Sequence, residues 1–160
     1  MTDDEIHGFL VEWLKATLNV AVIRAYQSGG EPAAEYVVVN FTGAEEVREF
    51  PSDVEFEDDQ VQAFSIPLIE KDWTFSVHAY GEAPTDILRP LVSVVQVTQE
   101  KLSPFVIHDL SRIRNVPDFV NQEWRPRAQM DIVLRGLARD KVAIDVIEIV
   151  EFNLIRKGIE

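Results

Sequence analysis

The chain has no cysteine among its 160 residues, which removes thiol catalysis, thiolate metal sites and disulfides together. Such a chain is compatible with folding in a reducing cytoplasm. Histidine is scarce too. The three histidines, His7, His78 and His108, show neither a His-x-x-x-His repeat nor a mixed Cys/His spacing, so no metal site is expected. No apolar run reaches the roughly 18 residues of a membrane span. The opening Thr2-Asp3-Asp4-Glu5 is acidic, the opposite of a signal peptide. Gly-x-Ser-x-Gly, the phosphate-cradling Gly-x-x-x-x-Gly-Lys-Ser/Thr and a calcium loop are all missing. Gly29-Gly30 is isolated and reads as a turn.

Positive charge is in short supply: 15 basic residues face 28 acidic ones, for a net charge of −13. A chain so charged repels phosphates, and sequence-specific DNA binding is not expected. The acidic residues include Glu45-Glu46, Glu55, Glu57-Asp58-Asp59, Glu148 and Glu151. They are spread so widely that their spacing reads as a solvated surface more readily than as an acid/base pair. Aromatic residues do not alternate with basic ones as a single-strand binder would need.

The chain does have enough apolar residues, 46%, to bury a core, and its length fits one domain spanning residues 1–160. Thr2 and Glu5 have capping-box spacing. Ile6, Phe9, Leu10, Trp13, Leu14 and Leu18 follow at helical intervals, which predicts an opening helix. Val20–Tyr26 and Tyr36–Thr42 read as strands around a turn from Gln27 to Ala34. Gly43–Asp59 fits no clear pattern, although Val47–Phe50 reads as a short strand stopped by Pro51. Gln60–Ile69 and Trp73–Tyr80 read as a long hairpin turning at Glu70-Lys71-Asp72. Thr85 is placed to cap a second helix containing Ile87, Leu88, Leu91, Val92 and Val95. Phe105–Arg112 reads as a strand and Asn115–Val120 as a turn or one helical turn around Pro117. Trp124–Arg139 and Val142–Ile155 read as the last two strands, with Glu148 interrupting the apolar face of the final one. The predicted fold is α+β: a mostly antiparallel sheet with a long β-hairpin and two helices packed on one face.

The most informative stretch is Trp124-Arg125-Pro126-Arg127-Ala128-Gln129-Met130-Asp131-Ile132-Val133-Leu134. Arginines flank a proline, so the backbone is extended and both guanidinium groups are expected to project outward. From Ala128 the residues alternate with the period of a half-buried strand, placing Ala128, Met130, Ile132 and Leu134 on one face. Nothing in the stretch is a nucleophile, so it points to docking. Two arrangements fit Trp124, Arg125 and Arg127. They can form an internal set, with the arginines on local acids, or they can reach acids of a neighbouring copy, since interfaces favour Trp and Arg. Trp73 fits a core position or an interface anchor equally.

With the strand Trp73-Thr74-Phe75-Ser76-Val77-His78-Ala79-Tyr80-Gly81 and a closing Ile147-Glu148 strand, this stretch resembles the phage neck and tail-terminator proteins. The resemblance runs from about Ile6 to Leu154, and Gly43–Asp59 departs from it by being longer and more acidic. It implies a non-enzymatic virion protein, made in the host cytoplasm, without cofactors and without a membrane partner. It further implies a homo-oligomeric ring, a hexamer, at the head-proximal end of the tail. Such a ring ends the tail tube and meets the head connector and the tube or sheath. Genomic DNA passes through it without specific binding, and an acidic lumen would not grip phosphates. The expected subunit contacts are Trp73, Glu70 and Lys71 on the hairpin, and Trp124, Arg125 and Arg127. The alternative is a small α+β enzyme or ligand-binding domain that uses surface carboxylates of the acidic middle segment. A soluble interaction module unrelated to phage is a further one.

Overall fold

A computed structural model describes residues 1–32, 34–59, 61–97 and 102–145. Two helices, α1 (Asp3–Leu18) and α2 (Pro84–Val97), accompany β1 (Ala21–Arg24), β2 (Tyr36–Glu46), β3 (Asp53–Asp58), β4 (Ala63–Tyr80) and β5 (Val106–Leu110). There follow β6 (Arg114–Asn115), β7 (Asp118–Val120), β8 (Glu123–Arg125), β9 (Arg127–Arg139) and β10 (Val142–Ile144). The main sheet has the order β1-β2-β4-β9-β5, with β3 and β10 also on β4 and β6 also on β9. Strands β1 and β2 are parallel and the other pairs antiparallel. The architecture is α+β. No helix of the described residues is long and apolar enough to cross a membrane.

The opening helix forms where its cap spacing predicts. The Thr2 backbone N–H donates to Glu5 Oε2 at 2.7 Å, and the Glu5 N–H donates to Thr2 Oγ1 at 3.3 Å. A cap of this kind contributes about 1 kcal/mol. Asn19 closes the helix in the left-handed conformation at φ 54°. The buried face of α1 is Ile6, Leu10, Val11 and Leu14.

Alternation on the central strands makes the core. Ala128, Met130, Ile132 and Leu134 of β9 are each 0% exposed. Their register partners on β4 are Ala79, Val77, Phe75 and Trp73, all buried as well. Both helices cover this one face, with Leu88 and Leu91 of α2 completing the cluster begun by α1.

The long hairpin does not exist. Residues 63–80 form one unbroken strand of 18 residues, roughly 60 Å long at about 3.3 Å per residue. Glu70, Lys71 and Asp72 sit in its middle, opposite Leu137, Gly136 and Arg135 of β9. Three charges in a row look like a turn, but here each has a neighbour that tolerates the strand. Asp72 takes both arms of Arg135, from Nε at 2.7 Å and NH2 at 2.7 Å. Glu70 meets Arg48 at 3.3 Å. The Lys71 backbone pairs with Glu46 on its other side.

Beyond the helices, the first part of β4 carries a three-stranded arm. Strand β3 lies along residues 63–68 on one edge, and β10 along residues 63–65 on the other. Pro67 has no N–H to donate. It falls where the ladder breaks between β9, which ends opposite Leu68, and β10, which starts opposite Ser65.

Three further expectations change. Val47–Phe50 is a bend between β2 and β3, not a strand, and Asn115–Val120 contributes to β6 and β7 instead of a turn. Pro84 begins α2 one residue before Thr85, and Pro90 stays inside it, where it forfeits one bond to a preceding carbonyl. Of the last predicted strand, Val142–Ile144 is present; the remainder from Val146, with Glu148, lies outside the described residues. So do the Ile147-Glu148 strand and Gln60.

Gly136 is required by packing. A Cβ there would lie 2.5 Å from the Phe105 ring and 3.4 Å from the Trp73 ring. Gly136→Val is expected to cost about 1–3 kcal/mol in urea unfolding. Gly43→Ala, with nothing within 4 Å of its Cβ, is the near-neutral control. An unchanged midpoint for Gly136→Val would contradict this packing.

Candidate subunit interface

The structure separates the candidate contact residues into three groups. Trp73 is core: it is 2% exposed, its Nε1 donates to Asp3 Oδ1 at 2.9 Å, and its ring meets Phe105 edge-on at 5.6 Å. It offers no surface to a neighbour. Glu70 and Lys71 lie in the mid-strand ladder instead of at a protruding tip. Trp124, Arg125 and Arg127 cluster at the far end of β4, around Tyr80.

The two arginines do not project outward. Arg125 bonds the Glu31 carboxylate and the Tyr36 hydroxyl, and its guanidinium lies 4.5 Å from the Tyr80 ring centroid. Tyr36 and Tyr80 stack at 5.0 Å. These groups, with Glu35 and Glu82, line a cavity of about 510 Å³. Arg127 donates from Nε to the Val116 carbonyl at 3.0 Å and pairs with Asp118 Oδ1 at 3.0 Å. The internal arrangement is the one realised, because the chain places an acid or a carbonyl beside each guanidinium.

Arg127 thereby fastens a small hairpin, β7–β8, to the body of the sheet. Its two-residue tip, Asn121 and Gln122, has φ of 52° and 67°, the primed-turn geometry that matches the twist of a tight hairpin. The hairpin presents Phe119, 59% exposed, and Trp124, 70% exposed. Their rings lie 5.0 Å apart. Val120 beside them is also exposed. Two neighbouring, exposed aromatic rings on a hairpin have the character of an interface anchor. The sequence pattern does not mark Phe119, because Asn115–Val120 reads as a turn or one helical turn around Pro117; the Asn121-Gln122 pair that follows Val120 is the local signal of the hairpin tip.

Of the acids of the middle segment, Glu57 and Asp58 border a shallow cleft of about 420 Å³ together with Asp145, Phe56, Phe64 and Ile144. Glu45, Glu46, Glu55 and Glu57 are exposed along β2 and β3. A second cavity, of about 490 Å³, lies between the start of α1 and β9 and is lined largely by Met1, Ile6, Trp73, Phe105, Leu137 and Ala138. Among the described residues, no three His, Cys, Asp or Glu side chains are grouped to hold a metal.

His78 sits on the sheet face away from the helices, with Nδ1 buried and unpartnered. Burial, reinforced by Arg127, lowers its pKa below 6.5. Burial also lowers that of His7, whose Nε2 lies 3.1 Å from the Val39 carbonyl. The unfolded chain therefore takes up protons near pH 6.5 that the folded chain refuses, and stability falls as pH drops below about 6.5. Asp72 works at lower pH. The Arg135 hydrogen bonds hold its pKa below 3.8, so its contribution is present above that value and is lost as pH falls through the folded one. His78→Gln should flatten the loss of thermal stability between about pH 6.5 and 5 while leaving the later acid limb. An unchanged slope would contradict the assignment to His78.

A family model described as phage neck terminator protein matches residues 4–158. No curated protein matches. Among solved structures, the chain is similar to the sheath/tube terminator of an extracellular contractile injection system (PVC) in the extended state, with a TM-score of 0.57 at 8% identity. The superposition covers 99% of this chain and 65% of that one. At that identity the likeness concerns the fold. The family match spans nearly the whole chain, including both the arm and the aromatic hairpin, and the chain belongs to the phage neck terminator protein family.

Proposed function

We propose that the chain is a structural virion protein of a tailed phage that closes into a homo-oligomeric ring at the head-proximal end of the tail. The ring stops growth of the tail tube, joins it to the head connector and leaves a channel for DNA. The observation that carries this reading is the family match over residues 4–158. The fold shared with a sheath/tube terminator supports it. The neighbours are then tail tube or sheath proteins on one side and connector proteins on the other. Six copies make the ring.

The chemistry of the surface agrees with assembly as the mechanism. With a net charge of −13 per chain, copies repel one another at low salt, and the contact between them must outweigh that repulsion. Phe119 and Trp124 supply an apolar anchor free of that charge problem. DNA passing an acidic lumen is not held by phosphate contacts.

Size exclusion with light scattering at moderate salt, which screens the charge, should give a closed mass near six chains. Trp124→Ala should leave monomer stability within about 0.5 kcal/mol, since the ring is mostly exposed, yet weaken assembly by about 2 kcal/mol, or roughly thirtyfold. A variant that assembles like the parent would remove Trp124 from the interface. A variant that unfolds would make its role structural.

A further inference from the structure

His78 holds a polar atom that its surroundings leave unanswered. Its Nδ1 is buried and has no hydrogen-bond partner. A buried nitrogen left bare costs free energy, and native folds keep few of them. The neutral imidazole can bear this, since one of its two ring nitrogens carries no proton. The imidazolium cannot, because both nitrogens are then donors. Protonation of His78 must therefore find Nδ1 an acceptor that the present arrangement does not supply.

The strand register shows what faces the ring. His78 stands opposite Val38 on β2 and Gln129 on β9. Its diagonal neighbours on the same face are Arg127 and Asp131 of β9, and Tyr36 and Asn40 of β2. Ser76 and Tyr80 flank it along β4. Arg114 of β6 and Asp118 of β7 reach the same face through their pairs with Asp131 and Arg127. Burial and then Arg127 lower the pKa of His78 below 6.5, Asp131 and Asp118 act the other way, and Arg114 lowers it further.

Two carboxylates are thus placed to gain from an imidazolium, and they are not equally free. Asp131 accepts from Ser76 Oγ at 2.9 Å and from Arg114 at 2.7 Å, which ties it to β4 and β6. Asp118 has one ion pair among the described residues, with Arg127 at 3.0 Å. That pair belongs to the fastening of the β7–β8 hairpin. The rest of the fastening is the Arg127 Nε bond to the Val116 carbonyl at 3.0 Å and the Val116 N–H bond to the Arg127 carbonyl at 2.8 Å. An imidazolium beside Arg127 both repels the guanidinium and competes for its carboxylate.

We infer that protonation of His78 draws the Asp118 carboxylate away from Arg127 and loosens the β7–β8 hairpin from the sheet, so that the hairpin is held at neutral pH and freed in acid. The sign follows from linkage. The fastened state disfavours the proton that a loosened state, with His78 open to water, accepts near pH 6.5. The fastened state is therefore favoured above about pH 6.5 and gives way as pH falls below it. The inference goes beyond the ring reading and holds for a single chain. In a ring that uses the exposed Phe119 and Trp124, it would also make assembly acid-sensitive.

Amide hydrogen exchange read by NMR tests it on the purified chain at low salt, where copies repel one another and the ring does not enter the result. The Val116 N–H is the reporter, and the Ile132 N–H, in the buried middle of β9, is the control. Protection corrected for intrinsic exchange should fall about tenfold at Val116 between about pH 7.5 and about pH 5, and hold at Ile132. His78→Gln should abolish the fall. Asp118→Asn should leave Val116 less protected than in the parent and equally so at both pH values. A fall at Val116 that persists in His78→Gln would overturn the inference. So would an equal fall at Ile132, which would mean that the whole sheet loosens. If Asp131→Asn abolishes the pH dependence and Asp118→Asn keeps it, His78 acts through the other carboxylate and the inference fails. Should His78→Gln not fold, Asp118→Asn decides alone, and a retained fall at Val116 would overturn the inference.

Discussion

The pair between Asp72 and Arg135 sits where the strand pattern of this chain is most strained by charge. Its partners face each other directly across β4 and β9, and the bidentate bond neutralises a carboxylate that is nearly buried. Breaking such a pair leaves a charge without a partner in a partly desolvated place, which costs more than the intact pair contributes. Its importance is positional. With Asp72 satisfied and Glu70 shared between Arg48 and Arg135, the chain has no reason to turn at residues 70–72. Strand β4 runs on, and a single ladder carries both the helix-covered core and the arm that extends beyond it.

The two ends of that strand then acquire different properties. At the Tyr80 end, a stacked tyrosine pair, Arg125 and the Arg127–Asp118 bond hold the aromatic hairpin in place. At the Ala63 end, no helix among the described residues covers the sheet, and ion pairs lie over Phe64, Ile66 and Leu68. The polar and apolar groups at the two ends are set along one continuous strand. The acids of the middle segment are spread along β2 and β3 at exposed positions.

Much of this was legible in the residues, and the exceptions have physical causes. The capping box at Thr2 and Glu5, the helical face from Ile6 to Leu14 and the alternation from Ala128 to Leu134 are local patterns, and each formed as read. The hairpin reading failed because Glu70-Lys71-Asp72 has turn composition; what overrides it, Arg135, is far away in sequence. Trp73 could be core or interface on composition alone, and only Asp3 and Phe105, brought in by other elements, decide for core. Arg125 and Arg127 fit an internal set or a contact with a neighbouring copy on sequence alone, because their partners Glu31 and Asp118 are specified by tertiary placement. The arm was illegible because its outer strand, Asp53–Asp58, is polar on one face and exposed on both, so it lacks the burial signal that marks a strand.

Termination itself is best measured on tails. The tail-tube protein of the same phage, polymerised with and without this chain, can be imaged by negative-stain microscopy and the tube lengths tabulated. A structural terminator should narrow the length distribution and appear as a ring-shaped cap at one end, while tubes formed without it should vary in length and lack the cap. Equal length distributions, with no density at the tube end, would contradict the account.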